Sequence, residues 1–411
     1  AMNRHLYPLE EKKRVAFLAI LCFVSYAATY IGRLNYPAAL PEMVMEGILS
    51  KTDGGIISTA YFAAYGAGQM VNGFLADKCN PRIQVAAGIA GSAAMNLIMR
   101  FANSPSAMLA VWGINGYTQS LIWAPSFVMV SQSICWEFRA KALLLLNMAP
   151  SAGTILAYAF SGIMLRSRAW QDLFSGASAA LLLTLTVWIC GCRILSRGAA
   201  DQRKPTDFKA RREFVTMPPS HPKRQGAVCL VTSGAVLLIL PSMINGMLKD
   251  GVTSWLPTYL TDVFSMQAET AVLVSILLPL INISGAAIGY LLVRRLKNEV
   301  LCTSLLFLCA ALCIVLLSAA GGIHPLVSAA LFAVITAAMM VSSVLLTSEI
   351  PSRFSGFGIA AAVSGFLNAC GYAGTAISTY GIAWVAEDCG WAVTRSMWTA
   401  AALAAMSLSL M

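Results

Sequence analysis

Long apolar segments, separated by short polar stretches, are the most regular feature of this sequence. They lie at about 15–40, 54–76, 83–102, 106–131, 142–165, 173–193, 226–248, 266–293, 300–319, 325–348, 356–385 and 394–411. Most are near the ~20 residues that an α-helix needs to cross the hydrocarbon core of a bilayer. A segment in that core must satisfy its own backbone hydrogen bonds, which a helix does. The pattern therefore predicts an all-α membrane protein with twelve transmembrane helices.

The composition agrees with a bilayer environment. Hydrophobic residues make up 58% of the 411 residues and charged residues 11%, whereas soluble proteins carry roughly 25% charged residues. The net charge of +10 raises the alternative of a nucleic-acid partner, but the cations form short clusters between apolar segments. That arrangement is typical of the positive-inside bias of membrane proteins. We therefore expect the lipid bilayer, and no nucleic acid, as a partner.

The distribution of lysine and arginine predicts the orientation of the chain. Most of the 28 cations lie before the first span and in the connections that follow even-numbered spans. By the positive-inside rule these regions face the cytoplasm, which places both termini there and the protein in the cytoplasmic membrane. The longest connection, 193–225, is basic and interrupted by prolines. We therefore predict six-helix bundles at 1–192 and 226–411 joined by a cytoplasmic linker at 193–225.

The two predicted halves share a weak repeat built on a cation and a proline. Arg33 precedes Pro41 in RLNYPAALP, and Lys249 precedes Pro257 at the same spacing in KDGVTSWLP. A cation inside a span is costly unless it faces a partner or a wet cavity. Equivalent positions in a duplicated fold would place both cations across a central pathway, where they could hold an anion. Two alternatives remain open: the cations reach the outer interface, or Lys249 pairs with Asp250.

The connection between the second and third spans carries a charged motif. It reads GFLADKCNPR and contains Asp77, Lys78 and Arg82. The aspartate can accept hydrogen bonds from a neighbouring helix end, while the cations meet carboxylates or lipid phosphates. Such a cluster would hold one face of the protein closed and break on opening. These three residues are therefore the predicted gate, and an ordinary solvated turn is the alternative.

Four stretches resemble the organophosphate:phosphate antiporter family of the major facilitator superfamily, which includes bacterial glycerol-3-phosphate and hexose-phosphate transporters. They read YIGRLNYPAALP (30–41), AYGAGQMVNGFLADKCNPR (64–82), NGYTQSLIWAP (115–125) and SWLPTYL (254–260). The resemblance implies the major facilitator fold, with two pseudo-symmetric six-helix bundles. It also implies alternating access between the two sides of the membrane and exchange of an organophosphate.

The resemblance further implies roles for individual residues. Arg33 matches the first-half phosphate-binding arginine of the family, and Lys249 matches its second-half arginine. Other residues match polar positions of the family's central cavity or keep its fourth-span pattern. These are Tyr26, Tyr30, Tyr65, Gln119, Trp123, Asn147 and Tyr372.

Three positions depart from the family pattern. Gln69 stands where the family has a cavity lysine, and we keep it among the predicted substrate-binding residues. Pro150 replaces a histidine and Pro279 replaces a glutamate. A dianionic phosphate would be less fully compensated by the remaining charges. A monoanionic carboxylate, sulfonate or phosphonate is therefore an alternative substrate.

These observations predict a secondary transporter for a small organic anion, working as a symporter or antiporter. No nucleophile or metal arrangement of familiar spacing occurs in the sequence, so we expect no enzyme activity, cofactor or metal. Asp250 is a candidate coupling residue that carries a proton, with a structural ion pair as the alternative. A ligand sensor that does not transport is a further alternative, and a monomer is the expected oligomeric state.

Overall fold

The computed structural model describes residues 11–76, 79–166, 169–200, 235–283, 295–296, 298–320, 324–353 and 360–410. Most of these residues are helical. The main α-helices, numbered in chain order, are α1 (Lys12–Thr29), α2 (Ile31–Met45), α3 (Lys51–Ala76), α4 (Pro81–Met99), α5 (Pro105–Ser133), α6 (Trp136–Leu165), α7 (Trp170–Ala200), α8 (Ile239–Gly246), α9 (Val252–Phe264), α10 (Ala268–Val274), α11 (Glu299–Ala320), α12 (Pro325–Val344), α13 (Ala360–Asp388) and α14 (Gly390–Leu410).

Several helices join end to end, so that the described residues form twelve helical spans. α1 and α2 meet at Tyr30, and a π-helical turn at Met247–Gly251 joins α8 to α9. Five described helices are long and apolar enough to cross a membrane by length and composition alone. They are Lys12–Met45, Glu137–Leu165, Trp170–Ser196, Glu299–Ala319 and Pro325–Thr347. The chain is therefore a multi-pass helical membrane protein.

The seventh span differs from the prediction. The apolar pattern ends it at residue 248, whereas the helix continues through the π-helical turn and α9 to Phe264. The polar residues Lys249 and Asp250 interrupt the hydropathy pattern without interrupting the helix. The predicted boundary is therefore wrong, because the helix continues through Lys249 to Phe264.

Polar caps followed by proline fix where three helices begin. The side chains of Asn80, Ser104 and His324 accept hydrogen bonds from backbone N–H groups two or three residues later, at 3.0, 3.3 and 3.2 Å. Each is followed by a proline, whose fixed φ suits the first helical position and whose missing N–H leaves no hydrogen bond unmade there. These signals account for the starts of α4, α5 and α12.

The helices form two bundles that meet along a seam. In the first bundle α3 and α4 pack against α5, and in the second α11 packs against α12 and α14. Across the seam α3 packs against α13, and α6 packs against α10. α7 continues to Ala200, while residues 201–234, which include most of the predicted linker, lie outside the described residues. Side chains at the seam therefore lie between the two bundles.

Candidate functional site

Arg33, on α2, is buried among aromatic rings and is 8% exposed. Its guanidinium carbon lies 4.9 Å from the ring centroid of Tyr65 and 5.3, 5.5 and 5.7 Å from those of Tyr30, Phe62 and Tyr61. Cation–π attraction of this geometry offsets part of the cost of burying the charge. Within the described part of the chain, no side chain forms an ion pair or a hydrogen bond with this guanidinium. Its donors are therefore available to a bound group.

A small cavity lies beside Arg33, and we call it the arginine cavity. Its walls include Ser58, Tyr61 and Trp112 of the first bundle and Ser254 of α9 in the second bundle. The cavity therefore spans the seam and combines one cation with aromatic surface and two serine hydroxyls.

A second small cavity, the lysine cavity, is lined by Lys249 and Asp250. Lys249 Nζ lies 3.5 Å from Asp250 Oδ2, and the two side chains are 21% and 25% exposed. Both residues belong to the π-helical turn, a local irregularity that is frequent at functional sites. The wall contains further polar side chains, namely Ser242, Asn245, Ser343, Thr347, Asn368 and Tyr372. Lys249 thus lines a cavity and pairs with its neighbour at the same time.

Two contacts connect the arginine cavity with the lysine cavity. The ring of Tyr65, which covers the guanidinium, lies 5.0 Å from the ring of Tyr372, which lines the lysine cavity. On α9, Ser254 Oγ donates to the carbonyl of Asp250 at 2.8 Å, so these residues are about one helical turn apart. A turn rises ~5.4 Å, which is comparable with the length of a small organic molecule. The two cations therefore line neighbouring cavities: the walls of the arginine cavity come from both bundles, and those of the lysine cavity come from the second bundle.

Four other predicted binding residues lie close to the arginine cavity. Tyr30 covers the guanidinium directly and meets Tyr26 edge to face, with ring centroids 5.7 Å apart. Tyr26 in turn contacts Trp123 at 5.0 Å, so these two rings form a layer behind Tyr30. Gln69 is half-buried and donates from Nε2 to the hydroxyl of Tyr65 at 2.9 Å. These residues hold the aromatic rings around the cation.

Gln119 and Asn147 do not line either cavity. Gln119 is buried, donates from Nε2 to Ser92 Oγ at 3.0 Å and to the Thr29 carbonyl at 3.2 Å, and accepts at Oε1 from the Tyr61 hydroxyl at 3.1 Å. It therefore ties α5 to α1, α3 and α4 and supports Tyr61 from behind. Asn147 is exposed on α6, and its Nδ2 donates to a carbonyl one turn earlier in the same helix at 2.9 Å.

The predicted gate is only partly described. Asp77 and Lys78 lie outside the described residues. Arg82, in the first turn of α4, donates from Nη1 to Ser196 Oγ on α7 at 2.5 Å. Its carbonyl accepts from Trp188 Nε1 at 3.0 Å. These contacts stay within the first bundle, so in this conformation Arg82 joins α4 to α7.

Several residues around Arg33 are not among those predicted from the sequence. Tyr61 and Phe62 cover the guanidinium, and Ser254 lines the arginine cavity. Tyr61, Tyr65 and Gln69 recur every four residues and so share one face of α3. That spacing identifies Tyr61 from the sequence. Phe62 and Ser254 carry no comparable signal, because an isolated phenylalanine or serine in an apolar helix is commonplace.

Polar contacts between the bundles concentrate near the connection between α2 and α3, and we call this end of the seam the closed end. Lys51 Nζ lies 2.7 Å from Asp262 Oδ2, which also accepts from Trp391 Nε1 at 2.9 Å. The backbone N–H of Thr52 donates to Glu387 Oε2 at 2.7 Å, and its hydroxyl donates to the same oxygen. The first turns of α3 are therefore fastened to the second bundle.

The fastened part of the seam continues along α3 as far as the aromatic contact. Thr59 Oγ1 donates to the Ala376 carbonyl at 2.6 Å and lies 3.0 Å from Thr379 Oγ1. Together with the contacts of Lys51 and Thr52, these contacts close the seam from the connection between α2 and α3 as far as the rings of Tyr65 and Tyr372.

Comparisons with known proteins relate most of the chain to one family. The profile of the Major Facilitator Superfamily matches residues 19–379. The membrane sensor protein UhpC of Salmonella typhimurium is 29% identical over 102 residues, which cover 25% of this chain and 23% of the sensor. The glycerol-3-phosphate transporter of Bacillus subtilis is 24% identical over 263 residues, covering 60% and 57% of the two chains. The phosphoglycerate transporter protein of Salmonella typhimurium is 24% identical over 307 residues, covering 70% and 66%.

These matches span about a quarter of the sensor and somewhat less than two thirds of each transporter. In fold, the nucleoside transporter NupG superimposes with a TM-score of 0.70 at 12% identity, covering 96% of this chain and 98% of NupG. A mutant of the peptide transporter POT gives a TM-score of 0.71 at 14% identity, covering 98% and 96%. The predicted fold class is confirmed, and the comparisons align the chain with transporters instead of enzymes. The chain belongs to the Major Facilitator Superfamily.

Proposed function

We propose that this chain is a secondary transporter that moves a small organic anion, an organophosphate or a related compound, by alternating access. The observation that carries the proposal is the state of Arg33, which is buried inside a span and faces a cavity at the seam without an acidic partner among the described residues. An uncompensated charge inside a membrane protein is costly. An anion that enters the arginine cavity would compensate it through charge-assisted hydrogen bonds.

Alternating access requires the two bundles to rock about a site between them. The seam suits this motion, because the contacts of the closed end, Lys51 with Asp262 and Thr52 with Glu387, join surface side chains that can part without disturbing either core. Lys249 and Arg33 belong to different bundles, so an anion near both would draw the bundles together. This attraction would lower the barrier to reorientation.

The relatives favour an organophosphate as the substrate class. Two of the proteins compared are named as transporters of glycerol 3-phosphate and of phosphoglycerate. A carboxylate or a sulfonate is the second candidate, because Gln69 offers an amide where a cation would better suit a dianion. There are two candidate driving forces: exchange for phosphate and proton uptake at Asp250. The variant Asp250→Asn distinguishes between them. Asp250→Asn should abolish uphill accumulation and spare exchange only if a proton is the coupling ion.

A ligand sensor is the second candidate function. It is favoured by the similarity to UhpC, which is named a membrane sensor protein. A sensor would bind the same class of anion without net flux. Counterflow in proteoliposomes distinguishes the two functions, because only a transporter exchanges internal for external ligand.

We also propose the placement of the chain in the membrane. Clustered cations support cytoplasmic termini and a cytoplasmic linker at 193–225 between bundles at 1–192 and 226–411. The cytoplasmic membrane and a monomeric state complete this proposal. With that orientation the closed end faces outward.

The proposal is tested by a thermal-shift screen of the purified protein in detergent. The compounds are glycerol 3-phosphate, 3-phosphoglycerate, inorganic phosphate and the corresponding carboxylates and sulfonates. We expect at least one to raise the melting temperature of the parent but not of Arg33→Ala, and to raise that of Lys249→Ala less. Lys141→Ala, at an exposed position, is the matched control and should respond like the parent. An equal response of Arg33→Ala and the parent would overturn the proposal.

A further inference from the structure

We propose that Asp250 determines the charge of the substrate, so that the site accepts a monoanion and disfavours a dianion. The inference rests on the proposed function, because it concerns the same two cavities. It differs from what the organophosphate relatives suggest, since a phosphate monoester is largely dianionic at neutral pH, its second pKa being about 6.

The first argument is the balance of charge in the two cavities. Among the described residues that line them, the charged ones are Arg33, Lys249 and Asp250. Arg33 has no acidic partner in this part of the chain, whereas Lys249 has the carboxylate of Asp250 at 3.5 Å. The cavities together therefore carry one net positive charge. A monoanion brings the site to neutrality, while a dianion leaves an uncompensated negative charge in a poorly solvated place.

The second argument is that the Asp250 carboxylate lies beside Lys249 in the lysine cavity. The two residues are adjacent on the π-helical turn, and their carbonyls accept from Thr253 Oγ1 at 2.7 Å and from Ser254 Oγ at 2.8 Å. The turn is thereby fixed while both side chains remain partly exposed to the cavity. Because 3.5 Å is longer than a good hydrogen bond, Lys249 can turn its ammonium toward a ligand and keep the ion pair.

The third argument is the small number of donors near Arg33. A phosphate dianion needs many hydrogen bonds, but the guanidinium is surrounded by ring faces. The Tyr61 hydroxyl already donates to Gln119, and Ser254 Oγ already donates to a backbone carbonyl. Ser58 adds a hydroxyl to the guanidinium as a donor, and this small set of donors suits one negative charge with an apolar or aromatic body attached.

The test uses two ligands of the same shape and different charge, glycerol 3-phosphate and glycerol 3-sulfate. Binding to the purified full chain is measured by calorimetry at about pH 8, where the phosphate ester is a dianion and the sulfate ester a monoanion. The variants are Asp250→Asn and, as a matched control, Asp172→Asn. The latter removes a carboxylate that pairs with Arg100 at 2.5 Å, away from both cavities.

We expect the parent and Asp172→Asn to bind the sulfate ester about tenfold or more tightly than the phosphate ester. In Asp250→Asn the phosphate ester should gain about tenfold or more, and the preference should vanish or reverse. A parent that prefers the phosphate ester, or an unchanged ratio in Asp250→Asn, would overturn the inference and leave the proposed function standing. If no anion of either charge binds to the parent, the proposed function fails and the inference fails with it.

Discussion

Arg33 keeps a full charge inside a transmembrane helix, and the four rings around it explain how the fold tolerates this. Lysine at the same place would retain the charge but lose the planar group that stacks on rings and the fork that grips an oxyanion. We therefore expect Arg33→Lys to weaken binding of the ligand found in the screen about tenfold or more, measured by calorimetry. Lys249→Arg, which adds a fork, should bind at least as well as the parent. Equal affinity of Arg33→Lys and the parent would show that charge alone matters.

Gln119 is predicted from the sequence to bind substrate, and its surroundings indicate a structural role instead. Its side chain makes three buried hydrogen bonds, to Tyr61, Ser92 and Thr29. Gln119→Leu would leave these groups without partners, and each such group costs about 1–3 kcal/mol. We expect a clear fall in the melting temperature in detergent, with the preference between sulfate and phosphate esters unchanged. Gln69→Leu, which loses one half-buried hydrogen bond, should lower the melting temperature less.

Single residues differ in how far the sequence reveals them. Arg33 is conspicuous, because a cation in an apolar segment requires an explanation whatever the fold. Gln119 is equally conspicuous, yet its partners come from three other helices and are brought together only by tertiary packing. Sequence reasoning therefore finds buried polar residues well, but cannot separate those that face a cavity from those that join helices.

At the scale of elements, the seventh span shows why helix boundaries are harder to predict than helices. The hydropathy signal falls at Lys249 and Asp250, where the chain makes a π-helical turn and continues as α9. A π-helical turn shifts the residues that follow around the helix axis. Lys249 and Asp250 lie in this turn and line the lysine cavity. A hydrophobic pattern with a regular helical period does not predict such a turn. The twelve spans follow from the sequence, but this feature does not.

The crossing of α8 and α13 provides a test at the same scale. A Cβ built at Gly374 would lie 2.0 Å from the backbone carbonyl oxygen of Met243, whereas a Cβ at Gly381 on the same helix meets nothing within 4 Å. Gly374→Ala must therefore push the helices apart, and we expect a loss of about 1–3 kcal/mol of stability. Gly381→Ala should be neutral or stabilising by up to about 1 kcal/mol, since alanine favours helix. Thermal unfolding in detergent compares the two, and equal melting temperatures would contradict this account of the crossing.

At the scale of the whole molecule, the closed end and the arginine cavity lie along the same seam between the two bundles. Alternating access requires the closed end to open when the opposite end closes. Contacts at the closed end, such as Lys51 with Asp262, compete with whatever contacts form when the opposite end closes. A ligand that bridges Arg33 and Lys249 can favour the change between the two conformations only in one way. It must bind an intermediate conformation better than either end conformation. Transport therefore depends on the closed end being breakable.

A reversible cross-link tests whether that closed end must open. Thr59 Oγ1 and Thr379 Oγ1 lie 3.0 Å apart across the seam, so sulfur atoms placed there need approach only slightly to reach the ~2.05 Å of a disulfide. We expect oxidised Thr59→Cys/Thr379→Cys to bind ligand but to lose counterflow in proteoliposomes, with recovery on reduction. Each single variant and the parent, which has 11 cysteines of its own, should be unaffected by the same oxidant. Undiminished counterflow in the fully cross-linked protein would mean that substrate moves without separation of the bundles here, and alternating access about this seam would have to be abandoned.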